Sequence, residues 1–386
     1  MNKLLFVTTV PDTIAAFFIP IARYLQAKGW RVDAMAEGIS TSKKCIEAFE
    51  QVWEVKFSRN PLAPQNLLVA PQQIKRVLQQ QEYDLIVVST PVASFVTRYA
   101  LNEMRKQGKF KMLYMAQGFH FFRGGSLLRN ATFFPLEKLA GPWTDRIVVV
   151  NREDEEAAKR HLVPAERVHY IPGTGVDLDR FNPALISDAE IIRVRQELGL
   201  SPEAPLLLSV AEFIPRKRNW DVLKAFARLG RSDAHLALAG DGRLLEQMQQ
   251  LASKLGIQKQ VHFLGFRRDI PTLMRASVAI VLASEQEGLP NCIMESFCME
   301  TPAIGSNIRG TRDLLEGGQG LLFEVGDVEE LARSMAWVLD RPEEAKVMGK
   351  RGRNLMADYE LQHVLQLHET LYNEVVGEKN YAISAQ

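Results

Sequence analysis

Short apolar runs recur along the chain, each broken by turn residues and followed by a stretch with helical spacing. Lys3–Thr9 is the first such run, Val10–Ala15 reads as a loop, and Phe17–Lys28 sets Phe18, Ile21, Ala22 and Leu25 on one helical face before Gly29 ends it. Further runs at 31–36, 83–88, 111–115 and 146–151 continue the alternation, as do those at 205–210, 236–239, 261–265 and 279–283. Helical patterns follow at 153–161, 221–229, 328–339, 342–357 and 361–376. Strand and helix in strict alternation predict an α/β protein with doubly wound parallel sheets.

At 386 residues the chain exceeds a usual single domain, so two are expected. The boundaries read as an N-terminal unit over 1–180, a polar connection over 181–204 with a short helix at 189–198, a second unit over 205–357, and a C-terminal helix over 358–386. Gly173-Thr174-Gly175 supplies the backbone freedom of a hinge. The last residues, 381–386, are expected to fray.

Composition narrows the classes. Lys and Arg number 47 against 46 Asp and Glu, which argues against a nucleic-acid partner. Three cysteines without paired or metal-ligand spacing fit reduced thiols in the cytoplasm. The apolar N-terminus is interrupted by Pro11-Asp12, unlike a signal peptide, and no apolar stretch approaches the roughly 20 residues of a spanning helix. Charge is uneven locally: 59–140 holds 11 Lys or Arg against 4 Asp or Glu. With the Phe- and Leu-rich stretch 121–140, that surplus suits an anionic membrane surface, at its inner face, and a lipid-diphosphate acceptor; a helix packed on the sheet with its cations solvated is the plainer alternative.

The chemistry concentrates in 279–322. A buried strand gives way to Ser284-Glu285-Gln286-Glu287-Gly288-Leu289-Pro290 and then a helix, so Glu287 precedes the helix and Glu295 lies about a turn and a half inside it. Amides at Gly288, Leu289 and Asn291, with Pro290 in the first turn, face whatever lies beyond the strand's carboxyl end. Two carboxylates so spaced can accept hydrogen bonds from hydroxyls of one elongated ligand. In the same half, Arg216-Lys217-Arg218 stands between a strand and a helix, where a diphosphate explains three consecutive cations.

The run E-G-L-P-N-C-I-M-E, followed by Pro302, Gly310 and Gly320-Leu321-Leu322, resembles the E-x7-E signature of the retaining glycosyltransferases of family 4, among them capsular, exopolysaccharide and O-antigen enzymes. The resemblance implies the GT-B fold, two Rossmann-like domains facing a cleft. It implies that Glu287 and the amides after it hold the donor sugar, that Glu295 binds the ribose, and that Lys217, with Arg216 or Arg218, clamps the diphosphate. Gly240-Asp241-Gly242 is similar to the family's G-D-G turn, and Phe266 and Arg267 match the segment lining the base pocket. His120 is carried over as a catalytic cleft residue. Gln117 stands where relatives have a histidine, and Glu212 where they often have a cation. Asp12, Thr13, Gln117 and Arg123 fall in the acceptor region, with a plain helix N-cap at Asp12 or Thr13 as the equal alternative. The implied reaction moves a sugar from a nucleotide-sugar, UDP-linked by preference, to a lipid-linked or polysaccharide-precursor hydroxyl. The donor is a substrate, no cofactor is implied, and no obvious D-x-D turn offers a metal site. Two rivals share the fold: a nucleotide-sugar 2-epimerase, and a nucleotide-binding protein that has lost catalysis.

Overall fold

The structure, a computed structural model, describes residues 1–61 and 63–384, with side chains through 379. The chain divides into two compact units. One comprises 1–175 together with the segment from Gln362 onward, and the other runs from Val176 to Leu361.

The first unit is built on β1 (Lys3–Val7), β2 (Arg31–Ala36), β3 (Val52–Glu54), β4 (Leu85–Val88), β5 (Lys111–Ala116), β6 (Arg146–Val149) and β7 (Val168–Tyr170). They lie in the order β3-β2-β1-β4-β5-β6-β7, all parallel. The pleat sends Leu5 and Val7 into one apolar layer with Ile74, Ile86, Val96 and Met112, while Phe6 turns to the other face and meets Phe18 at 4.6 Å between ring centres.

The stretch 10–15 is not a loop. Pro11 opens a helix over Pro11–Phe17, its fixed φ suiting the first turn, and a second helix follows over Ile19–Ala27. Val10 holds the cap position without a side-chain bond, so neither Asp12 nor Thr13 is an N-cap; both sit in the first turn. The basic count also needs revision, because Arg98 is fully buried. Its guanidinium pairs with Glu137 at 2.7 Å and lies 4.3 Å from the Tyr114 ring centre, while the Tyr114 hydroxyl donates to Glu137 at 2.9 Å.

The C-terminal helix begins at Leu361 and reaches Ser384, beyond the expected fraying point; residues 385–386 lie outside the described residues. It buries Val364, Leu365, Leu371, Tyr372, Val375 and Val376, and is tied down by Tyr24 to Glu369 (2.6 Å) and Lys379 to Asp84 (2.7 Å). His368 on this helix is fully buried, and neither ring nitrogen makes a hydrogen bond among the described residues. Burial pushes its imidazole down to about 4, only partly offset by the nearby Gly173 backbone. A histidine depressed on folding contributes stability above its unfolded value, near 6.5, and that contribution is lost as pH falls toward about 4. Urea unfolding is therefore expected to show about 3 kcal/mol less stability at the acid end of that window from this residue, so His368→Leu makes the slope shallower. His235 and His262, also lowered chiefly by burial, contribute in the same direction. Equal slopes in the two proteins would refute the assignment to His368.

The second unit contains β8 (Leu206–Val210), β9 (His235–Ala239), β10 (Val261–Gly265), β11 (Ala279–Leu282), β12 (Ala303–Ser306) and β13 (Gly320–Phe323). Their order is β10-β9-β8-β11-β12-β13, again parallel. Both faces are covered. Leu206 and Leu208 of β8 with Ile280 and Leu282 of β11 enter one apolar layer, while Leu207 with Ala279 and Val281 enters the other. Residues 181–204, expected as a connection, belong to this unit: Phe181, Val194, Leu200 and Ala204 fill its core. The helix there, Asp188–Glu197, starts at a capping box between Ser187 and Glu190.

Candidate active site

In the second unit the strand order reverses between β8 and β11, and ligands of open α/β sheets bind beyond the carboxyl ends at such a reversal. The loop after β8 carries Arg216-Lys217-Arg218, and the loop after β11 carries Glu285 to Glu287. The two loops are joined by backbone, Glu285 N–H donating to the Arg216 carbonyl at 2.9 Å. Side chains tighten the junction: Lys217 Nζ lies 2.6 Å from Glu287 Oε1, and Arg216 Nη1 reaches the Gln286 carbonyl at 2.7 Å and Glu287 Oε2 at 3.4 Å. Burial works against a charge on Glu287, but the Lys217 ammonium and Arg216 guanidinium outweigh it and hold the carboxyl below the usual range. An ionised carboxylate and two cations thus share one strand-end junction.

The loop is gripped from a third side. Arg309 Nε donates to the Glu287 carbonyl at 3.4 Å, and the Ser306 hydroxyl donates to the Ser284 carbonyl. Gly310, at φ +70°, presses against Gly288 so closely that a Cβ would stand 1.9 Å from the Gly288 carbonyl oxygen. Pro290 is the cap residue of the helix Asn291–Cys298, one position earlier than expected. The Asn291 amide, at the first helical position, has no partner within the helix, whereas Ile293 N–H already donates to the Pro290 carbonyl at 3.1 Å; Gly288 and Leu289 precede the helix.

Glu295 lies on that helix, half-buried, and its carboxyl makes no hydrogen bond or ion pair among the described residues. Burial pushes it up to about 7, with Arg180 a weak opposing influence. Burial without a hydrogen-bond partner accounts for the rise, and hydroxyl donors of a ligand would supply what the carboxyl lacks. Cys292, on the same helix, is raised to about 12 chiefly by burial and is no thiolate nucleophile.

Other expected donor residues serve the frame. Arg218 adopts a left-handed conformation and gives its guanidinium to Asp221 at 2.6 Å, so Arg216 rather than Arg218 stands beside Lys217. Gly240 and Gly242 let the β9 loop meet the β8 loop; a Cβ would fall 2.1 Å from the Ala211 carbonyl oxygen at Gly240 and 2.7 Å from Phe213 backbone at Gly242. Phe266 is exposed, while the Arg267 side chain is committed to Glu197 (2.5 Å) and Asp269 (2.7 Å), leaving only its backbone for a ligand. Glu212 is exposed, and its carbonyl accepts from Asn219.

In the first unit, Asp12 and Thr13 follow β1, and Gln117, His120 and Arg123 follow β5, all at the carboxyl edge. Gln117 Nε2 is buried without a hydrogen-bond partner among the described residues. The His120 ring packs 5.0 Å from that of Phe133, and Arg123 is exposed, its N–H held by Glu153. Sequence reasoning missed Thr90, which follows β4 beside the reversal in this sheet. Its φ is +65°, a strained conformation for a β-branched residue, and its hydroxyl lies 2.7 Å from that of Thr9. Strain at a strand end beside a reversal of order is a mark of a ligand site. A Ser-Thr-Pro stretch gives no warning of it.

Among the described residues, no group of three or more His, Cys, Asp or Glu is arranged to hold a metal ion. One D-x-D spacing does occur, Asp177-Leu178-Asp179, contrary to the expectation that none would; there Asp177 Oδ1 accepts from the N–H groups of Asp179 and Arg180 and closes a local turn.

Two parallel-sheet units of this kind, one with acids and cations gathered at its reversal of strand order, are the architecture of the GT-B class. The family model for Glycosyltransferase Family 4 matches residues 16–180, and that for glycosyl transferases group 1 matches 190–355. The chain is 33% identical over 355 residues to the putative glycosyltransferase EpsD of Bacillus subtilis, with 91% of each chain covered. It is 27% identical over 286 residues, 72% of each chain, to an Escherichia coli UDP-Gal:alpha-D-GlcNAc-diphosphoundecaprenol alpha-1,3-galactosyltransferase. In fold it matches Anabaena HepE in complex with UDP-glucose at a TM-score of 0.77 and 20% identity, over 97% of this chain and 100% of that one. The chain belongs to glycosyltransferase family 4: it is a glycosyltransferase of the GT-B fold.

Proposed function

We propose that this enzyme transfers a sugar from a UDP-sugar, with retention at the anomeric carbon, to a hydroxyl of a lipid-linked or polysaccharide-precursor acceptor, and needs neither metal nor cofactor. The observation that carries the reading is the junction of Lys217, Arg216 and Glu287 at the β8/β11 reversal. Lys217 and Arg216 neutralise the diphosphate as the bond from the anomeric carbon to its oxygen breaks. Glu287 and the amides of Gly288, Leu289 and Asn291 orient the sugar, and Glu295 accepts from the ribose hydroxyls, which supply the hydrogen bonds its buried carboxyl lacks. The acceptor oxygen bonds to the anomeric carbon on the face the diphosphate leaves, and the acceptor's proton passes to the departing phosphate oxygen. No enzymic nucleophile is required, so His120 positions the acceptor instead.

The lipid-linked acceptor is supported by the named activity of the Escherichia coli relative and by the surface of the helix Leu127–Ala140. The phenylalanines expected on that surface turn inward, Phe121, Phe133 and Phe134 packing on the core. Its exposed face instead carries Leu127, Leu128, Ala131, Pro135 and Leu139, with Arg123 and Lys138 at the ends, while Glu137 is drawn inside by Arg98. An apolar stripe with cations and no outward acid fits an anionic bilayer. No helix among the described residues is long and apolar enough to cross a membrane.

The test is turnover of UDP- and GDP-sugars with a diphosphoundecaprenol-linked glycan, with the product's anomeric configuration read by NMR. Expected are a retained linkage from a UDP-sugar, activity unchanged by EDTA, and sedimentation with anionic but not neutral vesicles that Leu127→Ser/Leu128→Ser abolishes. An inverted product or loss with EDTA would overturn the mechanism. A new sugar isomer formed without acceptor would identify an epimerase, and donor binding without transfer to any acceptor would identify a non-catalytic binder.

A further inference from the structure

A second feature of the first unit lies at the opposite end of its sheet. A cavity of about 570 Å³ opens between the helices Ala70–Gln80 and Pro91–Lys106 and the turn Gly141–Trp143, within the size range of small-ligand sites. Two aromatic rings form one side: Tyr99 and Trp143 stand 5.9 Å apart between centres, tilted by 52°, and Phe95 supports Trp143 from 5.6 Å. Tyr99 is more than half exposed although its ring is large and apolar. No hydrogen bond engages its hydroxyl or the Trp143 indole N–H among the described residues.

The polar lining is selective. Arg105 donates to Asn102 Oδ1 at 3.3 Å, to the Pro142 carbonyl at 2.9 Å and to Asp145 at 2.8 Å. One buttress therefore fixes the turn bearing Trp143 and leaves the Asn102 amide N–H groups as donors toward the cavity. Lys75 and Lys109 line the same space and make no ion pair among the described residues. The acid at the rim, Glu103, is held by Lys106 at 2.9 Å.

We propose that this cavity binds an anionic sugar, a pyranose bearing a carboxylate, as one unit of an acidic glycan. A pyranose has a flat C–H face that stacks on aromatic rings and a rim of hydroxyls that amide groups bind. Two free ammonium groups and no free acid select a negative charge on that rim. Nothing in the nucleotide chemistry calls for this arrangement. Lys109 precedes β5 and Gln117 follows it, so the length of that strand, about 20 Å, separates the cavity from the carboxyl edge where the acceptor residues lie. The site is a second holding point for a glycan chain, and it does not depend on which donor the enzyme uses.

The experiment titrates the full-length protein with tetragalacturonate, with maltotetraose as the neutral control and inorganic phosphate as the charge-only control, by ligand-observed NMR. Saturable binding of tetragalacturonate is expected, at least about 10-fold tighter than maltotetraose, and weakened about 10-fold or more by Tyr99→Ala and by Lys75→Glu/Lys109→Glu. The lysine changes lie on exposed positions and keep the fold; turnover of donor with a short acceptor stays within about 2-fold of the parent. No saturable binding by the parent, equal binding of maltotetraose, full displacement by phosphate alone at equal concentration, or insensitivity to both variants would each overturn the proposal. Because transfer to a short acceptor is measured separately, failure here is distinct from failure of the catalytic scheme.

Discussion

Glu287→Gln is expected to lower turnover about 1000-fold while leaving the protein folded. The amide keeps the size of the carboxyl but ends the charge-assisted contact with Lys217 at 2.6 Å and the weaker one with Arg216. Stability falls less than activity. Arg216 is 39% exposed and rehydrates, whereas Lys217 at 15% does so only in part, a combined cost of about 2 kcal/mol against about 4 kcal/mol lost from the barrier. Lys217→Ala complements it, weakening UDP about 10- to 100-fold by removing a fixed cation from the diphosphate. Steady-state kinetics and calorimetric UDP binding check both. A Glu287→Gln protein with ordinary turnover, or one whose lost activity tracks unfolding, would remove the acid from the chemistry.

The second large effect is structural in origin. Gly310→Ala is expected to cost about 3 kcal/mol or more, because the new Cβ would meet the Gly288 carbonyl oxygen at 1.9 Å and the residue would keep a left-handed φ of +70°. The neighbour is backbone and cannot rotate aside, so relief requires moving the loop that carries Glu287. Turnover should then fall about 100-fold in the molecules that remain folded. Gly29→Ala is the control: its φ is +85° but nothing lies within 4 Å, and the strain alone amounts to about 1 kcal/mol. Thermal unfolding and kcat of the two variants side by side decide the matter. Indistinguishable behaviour would mean that the Gly288–Gly310 approach has no influence on the site.

Much of this was legible in the order of residues. Buried strands such as Leu206–Val210 and Ala279–Leu282 announce themselves as continuous apolar runs, and the Glu-Gly-Leu-Pro turn marks where one of them ends in chemistry. Edge and small-residue strands did not: Val52–Glu54 is only three residues long and one of them is an acid, and Ala303–Ser306 ends in Gly-Ser, which reads as a turn until its neighbours pair with it. Residues 10–15 looked like a loop because Pro, Asp and Thr are turn formers, yet the same three residues suit a helix start. Pairings distant in sequence were silent altogether. Nothing local says that Arg98 will meet Glu137, that Arg267 will be taken by Glu197, or that Thr90 will be strained.

The discontinuity of the first unit also sets an order of events during synthesis. Its apolar face against the helix from Leu361 stays uncovered until Val364, Leu371, Tyr372 and Val375 have left the ribosome, 187 residues (362 minus 175) after the rest of the unit has emerged. At ordinary elongation rates that interval is on the order of 10 to 40 s, during which the later-made unit, contiguous in the chain, can close first. The portion translated earliest is thus completed last, and nascent chains stalled before Gln362 should be the ones that chaperones retain.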